Sequence, residues 1–162
     1  MLVIKFLIGV PASGKSTYAR SIVTGNDNYI RVNKDDIREQ CMCGVWSKVL
    51  EKTVLVIRDS IIENALKAGK NIIVDDTNFH HTHFKTILKI AHKVANETGQ
   101  IIGIEKMLFH ITKEEAIERD SKREKSVGEA VINKMWGDYE KVKDHVYDMF
   151  FVEPLVSEKD KV

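Results

Sequence analysis

Apolar and polar positions follow two different periods along this chain, and the switches between them mark out its elements. Leu2-Val-Ile-Lys-Phe-Leu-Ile8 is a short, nearly continuous apolar run of strand length, and Tyr18-Ala-Arg-Ser-Ile-Val23 continues as a helix behind a glycine-rich turn. Tyr29-Ile-Arg-Val32 reads as a second short strand. Asn33-Lys-Asp-Asp-Ile-Arg-Glu39 then opens a helix with Asn33 as its cap. Trp46, Val49, Leu50, Thr53, Val54, Ile57, Ile61, Ala65 and Leu66 recur at three and four residues, which predicts a long amphipathic helix over 46–66. Cys41-Met-Cys-Gly44 before it is expected to be a loop. Gly69 closes the helix, and Asn71-Ile-Ile-Val-Asp75 is a buried strand ending in carboxylates. Phe84, Ile87, Leu88, Ala91, Val94 and Ala95 mark the next helix, and 100–109 a further strand. Helices follow at 112–123 and 129–147, then Phe150-Phe-Val152 and a charged tail. Strands alternating with helices imply βαβ units, right-handed crossovers and a mainly parallel sheet. No internal repeat or Pro-rich linker interrupts the series, so 1–162 is expected to form a single domain.

Bulk properties narrow the classes. A chain of 162 residues with 43% hydrophobic content can bury a core between layers. Its 25 Lys and Arg nearly cancel 24 Asp and Glu, so a net charge of +1 supplies no overall field for coating nucleic acid. Any polyanion contact must be local. Cys41 and Cys43 are the only cysteines, which argues against a disulfide framework or a Cys-based zinc site and for a reducing cytoplasm. No apolar run approaches bilayer length, and the N-terminal segment is too short for a secretory signal, so no membrane association is expected.

Gly9-Val-Pro-Ala-Ser-Gly14-Lys15-Ser16-Thr17 matches the phosphate-binding pattern G-x-x-x-x-G-K-[ST], with a strand before it and a helix behind it. In such a loop the glycines let backbone N–H groups turn inward as an anion nest. Lys15 reaches the β- and γ-phosphates, and the Ser16 hydroxyl stands where Mg²⁺ is ligated, at a helix N-terminus whose dipole favours negative charge. The expected fold is therefore an α/β three-layer P-loop NTPase fold, with Gly9, Pro11, Ala12, Ser13, Gly14, Lys15, Ser16 and Thr17 binding ATP or another NTP. In a parallel sheet ligands lie beyond the carboxyl ends of the strands, where this loop, the polar run 33–38 and Asp75-Asp76-Thr77-Asn78 all fall.

Asp35 and Arg38, at i and i+3 on the helix after the second strand, face the same side. The carboxylate suits acceptance of a hydroxyl proton and the guanidinium suits an acceptor phosphate; the same residues also fit an acidic first turn that complements the helix dipole. Asp75-Asp76 resembles a Walker B ending, and strand register decides which of the two faces the phosphates. Glu118-Arg-Asp-Ser-Lys-Arg-Glu-Lys125 is the densest cationic segment, fitting either a lid over the phosphates or a solvated face. His80, His81 and His83 lack the spacing and companions of a metal site and read as a polar helix start. Trp136 and Tyr139 are expected to pack in the core.

With these residues in place the chain resembles the kinase domain of the phage polynucleotide 5′-hydroxyl kinases. The similar blocks are Gly9 to Thr17, Val32-Asn-Lys-Asp-Asp-Ile-Arg38, Val74-Asp-Asp-Thr-Asn78 and Arg119-Asp-Ser-Lys-Arg123, in the family's order and together spanning most of 1–140. The resemblance implies Asp35 as general base, Arg38 as acceptor-phosphate ligand, Asp76 as an organiser beside the P-loop, and Arg119 and Arg123 at the donor phosphates. It implies an NTP donor with Mg²⁺, RNA or DNA 5′-OH ends as partners, and a part in nucleic-acid repair in a host cytoplasm; a homo-oligomer is compatible with it. The founding phage enzyme carries a 3′-phosphatase domain with a D-x-D-x-T motif that this sequence lacks, so only kinase activity is implied. Residues 40–70 match less clearly, leaving acceptor-side contacts open. A small-molecule kinase for a sugar, antibiotic or nucleotide-sugar is the near alternative, and a nucleotide-dependent switch the more distant one.

Overall fold

Four parallel strands and one antiparallel strand form the sheet, in the order β2-β3-β1-β4-β5. They are β1 (Leu2–Ile8), β2 (Tyr29–Val32), β3 (Asn71–Val74), β4 (Ile102–Leu108) and β5 (Met149–Val152). The computed structural model describes residues 1–144 and 149–154. β1 lies between β3 and β4, with Ile4 opposite both Ile72 and Ile104, and only β5 runs antiparallel, pairing Ile102 with Val152. Among the described residues six helices connect the strands: α1 (Lys15–Gly25), α2 (Lys34–Met42), α3 (Lys48–Lys67), α4 (His81–Thr98), α5 (Lys113–Ser121) and α6 (Glu129–Val142).

The apolar runs at the centre of the sheet are continuous because both faces are covered. Leu2, Ile4, Phe6, Ile8, Ile72 and Val74 pack with Val54, Ile62 and Leu66 of α3 and Phe84, Ile87 and Val94 of α4. Leu7 and Ile73 point the other way, into a cluster with Ala19 and Ile22 of α1. That alternation produces the three layers expected from the sequence. A separate cluster at the strand tips joins Val10 of the glycine-rich loop to Ala116 of α5 and to Ile132 and Tyr139 of α6. Trp136 and Tyr139 lie 4.9 Å apart between ring centroids within it.

Three expectations need correction. Cys41 and Met42 belong to the last turn of α2, and the chain turns only at Cys43, which has left-handed φ of 49°. The final helix ends at Val142 with a turn behind it, and 145–148 lie outside the described residues. Of the apolar stripe assigned to 46–66 only Val54, Ala65 and Leu66 are buried: Trp46 is 67%, Val49 75% and Ile61 37% exposed, while Arg58, outside the stripe, is 1% exposed. Trp46 and Val49 belong to none of the buried clusters, so periodicity there has no layer to face. Arg58 is tolerated inside because its guanidinium donates to Asp59 Oδ1 at 2.6 and 2.8 Å and to His83 Nδ1 at 3.4 Å. Burial, with Lys34 and Arg58 nearby, pushes the His83 imidazole down to about 4, so it stays neutral and accepts that bond.

Candidate active site

The loop between β1 and α1 is shaped by two backbone requirements. A Cβ on Gly9 would lie 2.8 Å from Ser13 Oγ and 3.2 Å from Phe109 Cβ, so a larger residue would force Ser13 to turn and Phe109 to shift. Gly14 adopts φ of 97°, with open space where a Cβ would point, and Ala12 also lies in the left-handed region at 62°. These two residues turn the loop sharply ahead of α1, whose first-turn N–H groups have no intrahelical acceptor and whose first turn holds no acidic residue. The cradle fits a polyphosphate. Lys15 lies folded within it, donating to the carbonyls of Gly9 at 2.9 Å and Val10 at 2.8 Å and to Ser13 Oγ at 3.3 Å. Burial pushes its ammonium down to about 8; Asp75, Asp76 and Asp35 oppose that shift and Arg123 adds to it. Residues singled out at three separate places in the sequence thus act electrostatically on one amine. Thr17 is exposed on the outer side of α1.

The tip of β3 is clipped to this loop. Gly9 N–H donates to Thr77 O at 3.2 Å, and Asn78 Nδ2 donates to Leu7 O at 2.7 Å. Ser16 Oγ donates to Asp75 Oδ1 at 3.2 Å, while the other carboxylate oxygen of Asp75 accepts from Arg31 Nε at 2.7 Å. Asp76 points to the opposite side. Its Oδ1 accepts the N–H of Lys34 at 3.0 Å, and its Oδ2 is buried with no hydrogen-bond partner among the described residues. Burial raises the Asp76 carboxyl above the usual range, opposed by Lys34 and Arg58 and reinforced by Asp35. The carboxylate beside Ser16 is therefore Asp75, not Asp76. The reason is strand alternation: Ile73 faces α1 and Val74 faces α3, so Asp75 returns to the phosphate side. Ser16 and Asp75 offer the hard oxygen donors that Mg²⁺ prefers.

Asn33 joins β2 to this arrangement, since its Nδ2 donates to Asp75 O and its Oδ1 caps α2 through Asp36 N–H at 3.0 Å. From that cap α2 begins, with Ile37 buried in the core and Met42 packed against it. Asp35 in its first turn is 86% exposed in its side chain and pairs with Arg38 one turn on. Arg38 also forms a fork with Glu51, Nε to Oε2 and Nη2 to Oε1, both at 2.9 Å. These bonds use three of the five guanidinium N–H donors, leaving two to meet a ligand.

On the other side of the cradle Arg119 pairs with Glu115 on the exposed face of α5. Arg123 donates to Asp120 Oδ1 at 3.2 Å. Asp120 is buried and also accepts from Ser126 Oγ at 2.6 Å, Val127 N–H at 3.0 Å and Gly128 N–H at 2.9 Å. One carboxylate thus fastens the whole α5–α6 turn. Lys125 then reaches across to Glu39 of α2 at 3.1 Å. Sequence reasoning missed Arg31 and Glu51, and it gave no individual role to Asn78 and Asp120 within the segments it singled out. A lone Arg inside an apolar strand was a usable signal for Arg31; nothing local marks Glu51, thirteen positions from its partner.

A parallel sheet, a phosphate cradle at its carboxyl edge and a cationic turn facing it define a P-loop kinase-type domain. A family model described as an AAA domain matches residues 4–142, and the chain belongs to that family. Among solved structures it is similar to a chain of the Pnkp1/Rnl/Hen1 RNA repair complex, with a TM-score of 0.73 and 26% identity over 99% of this chain and 51% of that one. A gluconokinase from Sinorhizobium meliloti 1021 shares the fold at a TM-score of 0.55 and 14% identity, over 88% of this chain and 78% of its own. Among curated proteins, an L-seryl-tRNA(Sec) kinase of Methanococcus maripaludis is 32% identical over 95 residues, which is 56% of this chain and 36% of that protein. A bifunctional polynucleotide phosphatase/kinase of Acanthamoeba polyphaga mimivirus is 33% identical over 72 residues, 44% of this chain and 13% of the relative. The chain accordingly spans about half or less of the repair-complex chain and of these two curated proteins. Among the described residues no helix is long and apolar enough to cross a membrane.

Proposed function

We propose that this chain transfers the γ-phosphoryl group of ATP or another NTP to the 5′-hydroxyl of an RNA or DNA end. The observation that carries the reading is the Asp35–Arg38 pair, one helical turn apart on α2, with two guanidinium donors unused among the described residues. A kinase for a neutral small acceptor has no use for such a group. The likeness to the repair-complex chain and to the mimiviral protein supports the same reading.

The transfer forms a bond from the 5′-oxygen to the γ-phosphorus and breaks the bond to the bridging oxygen of the leaving diphosphate. The hydroxyl proton passes to the Asp35 carboxylate late in the reaction, so Asp35 mainly orients the nucleophile. Arg38 holds the phosphate 3′ to that hydroxyl. Lys15 swings from the Gly9 and Val10 carbonyls onto the donor phosphates, and Arg123 neutralises charge at the transferred group. Ser16, with Asp75 behind it, would hold Mg²⁺, whose charge would offset that of the donor phosphates. Little covalent chemistry is left to the protein, so rate comes from positioning.

Acceptor profiling tests this. Wild type and Arg38→Ala are assayed on a 5′-OH oligonucleotide, a nucleoside 3′-monophosphate, a nucleoside and a panel of sugars. Loss of a charge-assisted fork should lower kcat/KM for the oligonucleotide about 30- to 1,000-fold while leaving weak activity on the unphosphorylated nucleoside unchanged. Equal losses on both acceptors, or a sugar preferred over nucleic acid, would refute it.

A further inference from the structure

Resting on that reading, we propose that Trp46 is a stacking platform for an unpaired base of the acceptor strand, the base of the second nucleotide from the 5′ end. Trp46 is 67% exposed in the turn joining α2 to α3, flanked by Val45 at 56% and Val49 at 75%. Large apolar groups clustered in this way on a surface mark a binding site more often than chance packing. The turn is tied to the acceptor machinery from both sides: Gly44 N–H donates to Arg38 O at 3.0 Å, and Ser47 caps α3 one turn before Glu51, the partner of Arg38. Along the chain from the Asn33 cap, which is bonded to the tip of β3, Asp35, Arg38 and the Trp46 turn follow one another. A strand entering with its 5′-hydroxyl at Asp35 and its first phosphate at Arg38 brings its next base to Trp46.

Charge selects this occupant over an apolar protein segment. Lys48 and Lys52 stand exposed beside Val49 and carry no ion pair among the described residues, whereas the nearby acids Glu39 and Glu51 are already paired with Lys125 and Arg38. The unneutralised charge at this edge is positive. Aromatic surface interleaved with lysine suits a polyanion whose bases are free to stack, and it tolerates any base because every base has a π-face. A net charge of +1 leaves such local features to do the binding.

Trp46→Ala and Trp46→Phe are assayed on a 5′-hydroxyl adenylate hexamer and on adenosine 3′-monophosphate, which has no second base. Trp46→Ala should raise KM for the hexamer about 5- to 100-fold with kcat retained, the range expected for one lost stack. The monophosphate should be unaffected, and Trp46→Phe should recover most of the loss. The hexamer should also quench tryptophan fluorescence of the wild type but not of Trp46→Phe, in which Trp136 remains as the reporter. Equal losses on both acceptors would make Trp46 a support of the turn, and no loss on the hexamer, or quenching that survives Trp46→Phe, would overturn the platform. If wild type phosphorylates neither acceptor, the kinase reading fails, and quenching then decides the platform separately: its absence overturns it, and its loss in Trp46→Phe upholds it.

Discussion

Raising the pH should switch off donor binding far earlier than an ordinary lysine allows. Burial among the Gly9 and Val10 carbonyls brings Lys15 to about 8 from its usual 10.5. The donor phosphates are fully ionised above pH 8, so Lys15 is the group of the cradle that changes charge there. If only the ammonium form engages the phosphates, the apparent Kd is multiplied by about 1 + 10^(pH − 8), roughly 1.1 at pH 7, 11 at pH 9 and 100 at pH 10. Titration calorimetry with a non-hydrolysable ATP analogue from pH 7 to 10 reads this directly, and Lys15→Met should bind weakly with no such dependence. Stability gives an independent sign check. A native amine with a lowered pKa is a penalty fully present below pH 8, and the unfolded chain holds the extra proton between pH 8 and 10.5. Wild-type stability relative to Lys15→Met should therefore rise with pH across that window, by about 3 kcal/mol for the whole shift. A flat Kd up to pH 10, or a stability difference that falls with pH, would refute the burial argument.

Two further variants probe the residues found only in three dimensions. Glu51→Gln removes the carboxylate that forks Arg38, so it should lower kcat/KM on the oligonucleotide about tenfold and destabilise the chain in urea by about 1 kcal/mol; unchanged KM and kcat would show that Asp35 alone orients Arg38. In the wild type, burial works against ionisation of Glu51, but the hydrogen bonds and charge of Arg38 outweigh it and hold the carboxyl below its usual range, so the pair persists at neutral pH and weakens only as acid protonates Glu51. Asp120→Ala strands the amides of Val127 and Gly128 and should cost about 2 kcal/mol while opening the α5–α6 turn to trypsin at Lys122, Arg123 and Lys125. A turn that stays resistant would mean that packing, not the carboxylate, holds it.

The phosphate cradle was legible in the sequence because it is local: Gly9, Gly14, Lys15 and Ser16 lie within eight consecutive positions, and their backbone geometry follows from residue type. The three-layer architecture was legible for a related reason, since strands buried on both faces are continuous apolar runs and the helices between them are amphipathic. Asp35 and Arg38 could be paired because one helical turn separates them. Asn33 could be named as a cap, though not as the link from β2 to the carbonyl of Asp75.

Tertiary structure decided whatever depends on which neighbour arrives from far along the chain. Asp75 and Asp76 are adjacent and identical in type, yet one meets Ser16 and Arg31 while the other is sealed against Lys34, because the strand places successive side chains on opposite faces and only the packed sheet says which face holds the cradle. Arg38 acquires Glu51 through the approach of α3, and Glu39 acquires Lys125 through the approach of the α5–α6 turn. Periodicity alone also misread the start of α3. Val54 and Ile62 pack into the main core cluster, and Trp46 and Val49 stay exposed outside it. Sequence determines which side chains repeat on one face of a helix; burial of that face is settled only by the layer that packs against it.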